Sequence, residues 1–448
     1  MKNLSIGLSL ALLSVSVNAA DNLAESFKNA KISGEVRAFY IDRTYDGKII
    51  NNRNSLAIGG SLGIETQPVH GLSFGTKFYT TNSINIHDGK RSVVGSSMYD
   101  PSLYGDEFAS YSMLGEAYLK YCFCDTGLTN STITIGRQKL NTPLAGADDA
   151  RMLPNLFEAA VLANTDIVDT TLIAAHVTKE AVGTFGNVYG KPSQLSLQGG
   201  YGLGYKLGTT GHFTKMGNIA LGDGVDTDGV SAVAAIYSGI KGVKLQLWDY
   251  VAHDILNAIY AQADFGWNCL LNDNVKMKAS VQYINEADIG DKLAGEVDSN
   301  FWGAKVGTSI AGVSGYVAYS STDSSSSAQA HGGILTPWGG IPAFTQGMVT
   351  RHMFFADTQT IKGALTYSFK DLLGVDLKAT GYYAQFDVGS LNTYKAGTAW
   401  KAKESGFDIK YNPASVKNLH LRMRANYPTD FAPDVDWDEY RLIANYNF

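Results

Sequence analysis

The chain has 448 residues, with 36 Lys and Arg against 42 Asp and Glu and a formal net charge of −6. It holds no basic tract, which excludes nucleic acid as an expected partner. Glycine (48) and tyrosine (25) are plentiful while proline (10) and cysteine (3) are scarce. That profile is odd for a soluble enzyme and suits strands with aromatic belts around a polar lumen.

In chain order, Met1–Ala19 has the form of a signal peptide: Lys2, an apolar run Leu4–Val17, and Val17-Asn18-Ala19 as a small-residue cleavage site. The run is too short for a spanning helix, and no Cys nearby offers a lipid anchor. No later apolar stretch approaches the ~18 residues of a helical span. The expected organisation is a signal peptide (1–19), a short N-terminal segment (20–30) and one transmembrane β-barrel (31–448).

Period-two alternation then recurs along the chain. In Lys31–Thr44, Ile32, Val36, Ala38 and Tyr40 share one face and Ser33, Glu35, Arg37 and Arg43 the other. Leu56, Ile58, Leu62 and Ile64 alternate in the same way, then Leu72, Phe74 and Phe78 after a turn at Pro68–Gly71. A long polar stretch, Ser83–Ser110, leads to Tyr111–Phe123 and Ser131–Ile135. Phe157–Ala163 and Thr170–Thr178 flank a short turn, and the Gly-rich Lys179–Gly229 reads as a long surface loop. The rhythm returns in Val230–Tyr237, Val243–Val251, Ile255–Trp267, Lys276–Glu286, Asn300–Ile310 and Val313–Ser320. After a second long insertion (321–356) come Thr358–Phe369, Val375–Phe386, Lys403–Tyr411, Leu419–Tyr427 and Asp438–Phe448. This makes about 18 strands, an even number, with short turns and long loops alternating as in an all-β antiparallel outer-membrane barrel. A barrel that wide leaves a water-filled lumen.

Between Gly136 and Phe157 lies GRQKLNTPLAGADDARMLPNLF, with two prolines, paired acids and arginines and little periodicity. Its backbone needs water or partners, so the segment 139–157 is expected to fold into the bore and narrow it. At the other end, Tyr440, Leu442, Ala444, Tyr446 and Phe448 form an apolar row finishing on an aromatic terminus. As a soluble edge strand that row would be an aggregation hazard. In a barrel it pairs with the first strand, and it is the expected handle for the barrel-assembly machinery.

These residues carry a resemblance. Gly136-Arg137-Gln138, Thr142-Pro143-Leu144, Asp149 with Arg151, Leu153-Pro154 with Phe157, and the closing Asp438–Phe448 resemble the OprD-type porins of Gram-negative bacteria. The resemblance covers nearly the whole mature chain, except that the Gly-rich region does not match. It implies a passive outer-membrane channel, narrowed by infolded loops, with a row of basic side chains guiding carboxylate-bearing solutes.

If the apolar faces meet lipid, the lumen receives Arg37, Lys77, Lys120, Lys244, Lys278, Lys305, Lys362, Lys378, Arg422, Arg424 and Arg441. Charges lining a wet bore tune selectivity, whereas on the lipid face they cost several kcal/mol. The set forms a candidate ladder for anions, with Arg422 and Arg424 its best members; the bland reading is solvated lysines balanced by Glu35, Glu65, Glu116 and Asp376. In the central loop Arg137 and Arg151 are expected to face Asp148 and Asp149 as a mixed-charge eyelet, or merely to staple the loop to the wall. Strict alternation puts Arg137 on the lipid side with Ile133 and Ile135 unless a bulge re-aims it.

Other motifs are weaker. Two G-x-S-x-G matches, around Ser61 and Ser73, lie inside alternating strands rather than on a strand-to-helix elbow. Asp223, Asp226 and Asp228 hint at a calcium loop, but Ala234 stands where the closing Glu is needed. Cys122, Cys124 and Cys269 read as minor thiols near periplasmic turns without metal-ligand spacing. The expected partners are outer-membrane lipid and small solutes, with a homotrimer as a further option, and no cofactor or metal is implied. Two rivals remain: a barrel enzyme, for which only His352 near Arg351 and Asp357 offers a start, and a plugged adhesive barrel.

Overall fold

The computed structural model describes residues 19–46, 51–86, 99–105, 108–186 and 210–448. Of the expected signal peptide only Ala19 falls among them, and the middles of the Ser83–Ser110 and Lys179–Gly229 stretches lie outside. Nineteen strands join in one sheet: β1 (Lys31–Asp46), β2 (Arg53–Glu65), β3 (Leu72–Ile84), β4 (Tyr111–Cys122), β5 (Ser131–Gln138), β6 (Leu156–Asn164) and β7 (Thr170–Ala181) come first. β8 (Thr214–Lys215), β9 (Val230–Tyr237), β10 (Val243–Ala252), β11 (Leu256–Cys269), β12 (Asn272–Asp288) and β13 (Asp298–Ile310) follow. β14 (Val313–Thr322), β15 (Thr358–Ser368), β16 (Asp376–Val388), β17 (Trp400–Asn412), β18 (Leu419–Thr429) and β19 (Asp436–Asn447) complete it. The two-residue β8 only extends the wall beside β7; the other eighteen are the staves of a closed antiparallel barrel.

Closure follows from the terminal strands. β1 pairs with β2 on one side and with β19 on the other, from Glu35 opposite Asn447 to Asp46 opposite Asp436. Phe448 continues the seam, exchanging backbone bonds of 2.9 and 3.0 Å with Gly34. A lipid-spanning sheet has no water to satisfy an edge, so only a closed ladder is stable. Near this seam Gly60 has φ +138° and lies where a Cβ would come 1.8 Å from the Glu35 carbonyl, so only glycine fits.

Alternation places aliphatics such as Val36, Leu62, Leu119, Leu247, Val317 and Leu365 on the exposed outer face. Aromatic side chains ring both ends of this apolar band. Tyr121 with Phe123, Tyr367 with Phe369, and Tyr446 with Phe448 pair near the short turns. Trp302 with Tyr319 and Tyr427 with Tyr440 do so nearer the long loops. Aromatic rings favour such interfacial belts.

The inner face is less uniform than a simple apolar-out, polar-in rule predicts. Along β6 to β11, Val161, Ile173, Ala232, Ala234, Trp248, Ala258 and Tyr260 are buried inside, while Leu162, Leu172, Val233, Leu247 and Ile259 face outward. Strands apolar on both faces need cover on both, as in a sheet buried on two sides. The region read as one loop from Lys179 is also more ordered at its ends: β7 runs on to Ala181, and Met216–Leu221 is a short helix. All three cysteines do sit beside short turns, but Cys122 and Cys124 are bonded to each other.

Val317 is 67% exposed on the outer face of β14. Val317→Arg should therefore cost about 2–4 kcal/mol of folding free energy in a bilayer, read by urea titration of protein refolded into vesicles. An unchanged midpoint would place that face away from lipid.

Candidate functional site

Both long insertions turn into the barrel. The first inner loop (139–155) leaves β5 after Gln138 and returns at Leu156. Its Leu140, Leu144 and Ala145 are buried in the apolar cluster made by β6 to β10, and the Leu144 N–H donates to Tyr250 Oη at 3.4 Å. Its other end reaches the closing seam. Asp149 meets Arg37 of β1 at 2.8 Å, and Arg151 meets Glu439 of β19 at 3.4 Å and Ser102 Oγ at 3.1 Å. β10 and β19 are far apart around the wall, so a segment touching both crosses the bore.

The second inner loop (323–357) is held by two buried carboxylates. Glu286 of β12 accepts the Leu335 N–H at 2.8 Å. Glu404 of β17 accepts the N–H groups of Met348, Val349 and Thr350 at 2.5, 3.2 and 2.6 Å, and the Tyr382 hydroxyl. A carboxylate supplying several acceptors to one loop turn satisfies donors that the lumen would otherwise have to wet. The two loops also grip each other. Gly146 N–H donates to the Trp338 carbonyl at 3.0 Å, and Arg351 forks onto Asp148 at 2.9 and 3.2 Å. At Gly340 a Cβ would fall 2.2 Å from the Pro143 carbonyl, so the crossing needs a bare backbone there.

His352 pins the second loop from behind. Its Nε2 hydrogen bonds the Phe431 carbonyl at 2.6 Å, and its ring sits against Phe355, Phe386, Tyr394, Trp400 and Phe431. Burial pushes its pKa down to about 4, with the Phe431 carbonyl opposing the shift only weakly. The one histidine that could have started a hydrolytic group is thus a wedge in an aromatic box. Its sequence neighbour Arg351 is committed to Asp148.

The eyelet pairs expected from sequence form differently. Arg151 and Asp149 are both engaged inside, but with Glu439 and with Arg37 and Lys139 respectively, and Asp148 takes Arg351. Burial alone would push the Asp149 carboxyl up; Arg37 and Lys139 outweigh it and hold it at about 2, ionised throughout the physiological range. Arg137 meets neither acid. β5 keeps an unshifted register as far as Gln138, so no bulge turns Arg137 from the face it shares with Ile133 and Ile135. Its guanidinium lies 3.8 Å from Glu158 and 4.3 Å over the Phe213 ring.

Every member of the expected ladder falls on the inner face, opposite the exposed aliphatics of its strand. Lys120 pairs with Glu65 at 3.2 Å, and Lys77 lies over the Tyr79 ring. Lys305 lies 4.2 Å over Phe344 of the second loop, in electrostatic reach of Lys278, and Lys362 donates to the Gln346 carbonyl at 2.5 Å. Lys378, Lys410 and Arg422 stand directly opposite one another on β16, β17 and β18, and Arg424 stands opposite Arg441 on β19. Asp408 answers Arg422 at 2.5 Å and Arg424 only at 4.0 Å; Arg424 Nε has no hydrogen-bond partner among the described residues. Glu35 answers Arg37 at 2.9 Å, as expected, and Asp408, Glu404 and Glu439 are further balancing acids, whereas Glu116 takes the Tyr79 hydroxyl and Asp376 takes Asn412. Glu404 was missed in the sequence although it sits at an inward position of an alternating strand, and Glu439 was placed on the inward face without its arginine partners. Lys410 was missed in the same way as Glu404.

The loops cover the apolar inner wall of β6 to β11, and the second also lies against β12 to β17 through Glu286, Ser299, Ser320, Lys362 and Glu404. A barrel closed in bacterial outer-membrane fashion, throttled by two inner loops against a basic wall, defines a channel-forming outer-membrane protein. The chain belongs to the OprD family of outer membrane porins: the family model matches residues 25–448. No curated protein matches the sequence. Among solved structures, the chain is similar to Pseudomonas aeruginosa OpdK, crystallised with vanillate, at 18% identity and TM-score 0.74, covering 94% of this chain and 99% of that one. P. aeruginosa OpdG (20%, TM-score 0.74) and Acinetobacter baumannii OccAB3 (18%, TM-score 0.74) match with the same coverages. Localisation in the Gram-negative outer membrane follows from the family.

Two measurements probe the loops. Arg351→Gln removes one side of a largely buried pair and should cost about 3 kcal/mol locally; the expected reading is greater open-channel noise and higher single-channel conductance, and an unaltered trace would show that the clasp does not hold the constriction. His352 stays neutral when folded, whereas its unfolded form takes up a proton below pH ~6.5. Stability should therefore fall as pH drops from about 6.5 to 4, by roughly 3 kcal/mol at most, and His352→Phe should flatten that slope in urea titrations.

Proposed function

We propose that the protein is a passive diffusion channel for small hydrophilic anions, carboxylates and amino acids in particular, without catalytic chemistry of its own. One observation carries the reading: basic side chains stand directly opposite one another across neighbouring strands, as Lys378–Lys410–Arg422 and Arg424–Arg441 do. Like charges so placed destabilise a sheet. They are tolerable where water and a passing anion share the face. Arg424, short of partners, is the step an anion would use most. A carboxylate moving along this wall meets Lys278, Lys305, Lys362, Lys378, Arg422, Arg424 and Arg441 on one side and the first loop, with Arg37, Asp148, Asp149 and Arg151, on the other. Weak successive sites let a solute enter and still leave. That OpdK was crystallised with vanillate, itself a carboxylate, supports the same class here.

Arg422→Glu with Arg424→Glu should move the reversal potential in a salt gradient toward cation preference. A reversal potential that stays put would remove the basic wall as the source of selectivity and leave the channel itself standing. Aromatic and aliphatic carboxylates should interrupt the current of the unmodified protein at concentrations where neutral analogues of equal size do not.

A further inference from the structure

Away from the bore, the outer face carries a polar cluster that transport does not use. His176 of β7 and Ser231 of β9 are opposite one another in register, and His253 follows the end of β10. Ser231 Oγ lies 3.0 Å from His176 Nδ1 and 2.9 Å from His253 Nε2. One hydroxyl thus joins two imidazoles, donating to one and accepting from the other. The remaining nitrogens, His176 Nε2 and His253 Nδ1, have no partner among the described residues.

The height of this cluster on the wall is informative. Below it the outward positions are aliphatic: Leu172 and Ala174 on β7, Val233 and Ala235 on β9, Leu245 and Leu247 on β10. Strand alternation makes His176 and Ser231 the next outward positions toward the long loops, while on β10 Asp249 and Val251 come between Leu247 and His253. The outward row thus turns from aliphatic to polar from Asp249 upward, the level at which headgroups would lie. Just above, Lys179 and Lys215 face each other across β7 and β8. Lys179 shares Glu158 with Arg137, and Lys215 meets Asp226. A further acid on this face, Asp249, accepts from Asn257 Nδ2 at 2.5 Å. Five basic groups, Arg137, His176, Lys179, Lys215 and His253, therefore lie around a spot where Glu158, Asp226 and Asp249 are engaged and the exposed Asp228, just before β9, is a further acid. Beneath it an apolar groove runs down the outer face, floored by Ala235, Ala261 and Ala263 and edged by Leu247 and Val281.

We propose that this face binds a phosphorylated lipid of the outer leaflet, with the phosphate on His176, His253 and Lys179 and an acyl chain in the groove below. The chemistry fits on two counts. A phosphate monoester offers strong acceptors to the Lys179 ammonium and to the ring left with a free N–H, and its P–OH can donate to the ring left with a lone pair. A chain lying in an alanine-floored groove gains contact that a smooth barrel wall does not provide. A free anion would have no use for the groove, and a neutral lipid none for the histidines.

The test uses the full-length protein in detergent, exchanged against bisphosphorylated lipid A or its dephosphorylated form, with bound lipid counted by native mass spectrometry. The phosphorylated form should be retained preferentially. His176→Gln with His253→Gln, which keeps side-chain size, should lower that retention by about tenfold or more, as expected when hydrogen bonds to a charged group are lost. Heat-modifiable migration and single-channel conductance of the variant should stay as in the unmodified protein, which separates lost binding from lost folding. Equal retention of both lipid forms, or full retention by the variant, overturns the proposal. So does displacement of the lipid by millimolar inorganic phosphate, which would reassign the cluster to free anions.

Discussion

The seam between β1 and β19 is the constraint on which the rest depends. In hydrocarbon an unpaired strand edge is prohibitive, so the two ends of the chain must meet before any other feature has meaning. The same seam carries the charge centre that holds the first inner loop. Arg43 and Glu439 are cross-strand partners in the closing ladder, and Glu439 also takes Arg151 from the loop and Arg441 from its own strand. Two buried carboxylates, Glu439 and the Asp100 that meets Arg43 at 3.0 Å, among three guanidiniums are stable only as a set, since removing any member leaves charge without compensation. Closing the wall and seating the loop are therefore coupled through one residue.

The second organising feature is the inequality of the inner wall. Strands β6 to β11 present Ile173, Trp248, Tyr250 and Tyr260 inward, a surface that water would not cover willingly. Leu140, Leu144, Leu335 and Trp338 from the two loops cover it. Ordinary burial thus draws both loops onto this wall, while the second also reaches Lys362 and Glu404 on the charged side. Glu286 and Glu404 then fix the second loop by its backbone donors, which need acceptors wherever water is thin.

Much of the fold was legible because a barrel stave is a local object. A period of two with one apolar face needs no knowledge of its neighbours, and the row from Tyr440 to Phe448 announces a closing strand by itself. The inward basic residues were legible for the same reason, since parity alone assigns Arg422 and Arg424 their side. Parity failed where a strand is apolar on both faces, as with Ala232 beside Val233, because the cover comes from loops distant in sequence. It also could not choose partners. Arg151 and Asp149 stand two apart, yet they bind different groups on different strands.

What the sequence by itself determined is the barrel: strand number, lipid face, lumen face and the need to close, all of which follow from alternation and from the intolerance of a bilayer for unpaired backbone. Arg137 is a case where plain alternation held, with Glu158 and Lys179 beside it on the outside. Only the tertiary structure decided which charges neutralise one another, where the loops lie and which wall they cover. Those depend on contacts such as Arg37 with Asp149 and Arg351 with Asp148, separated by 112 and 203 positions. Such contacts are set by the shape of the closed wall, and no local pattern in the chain encodes them.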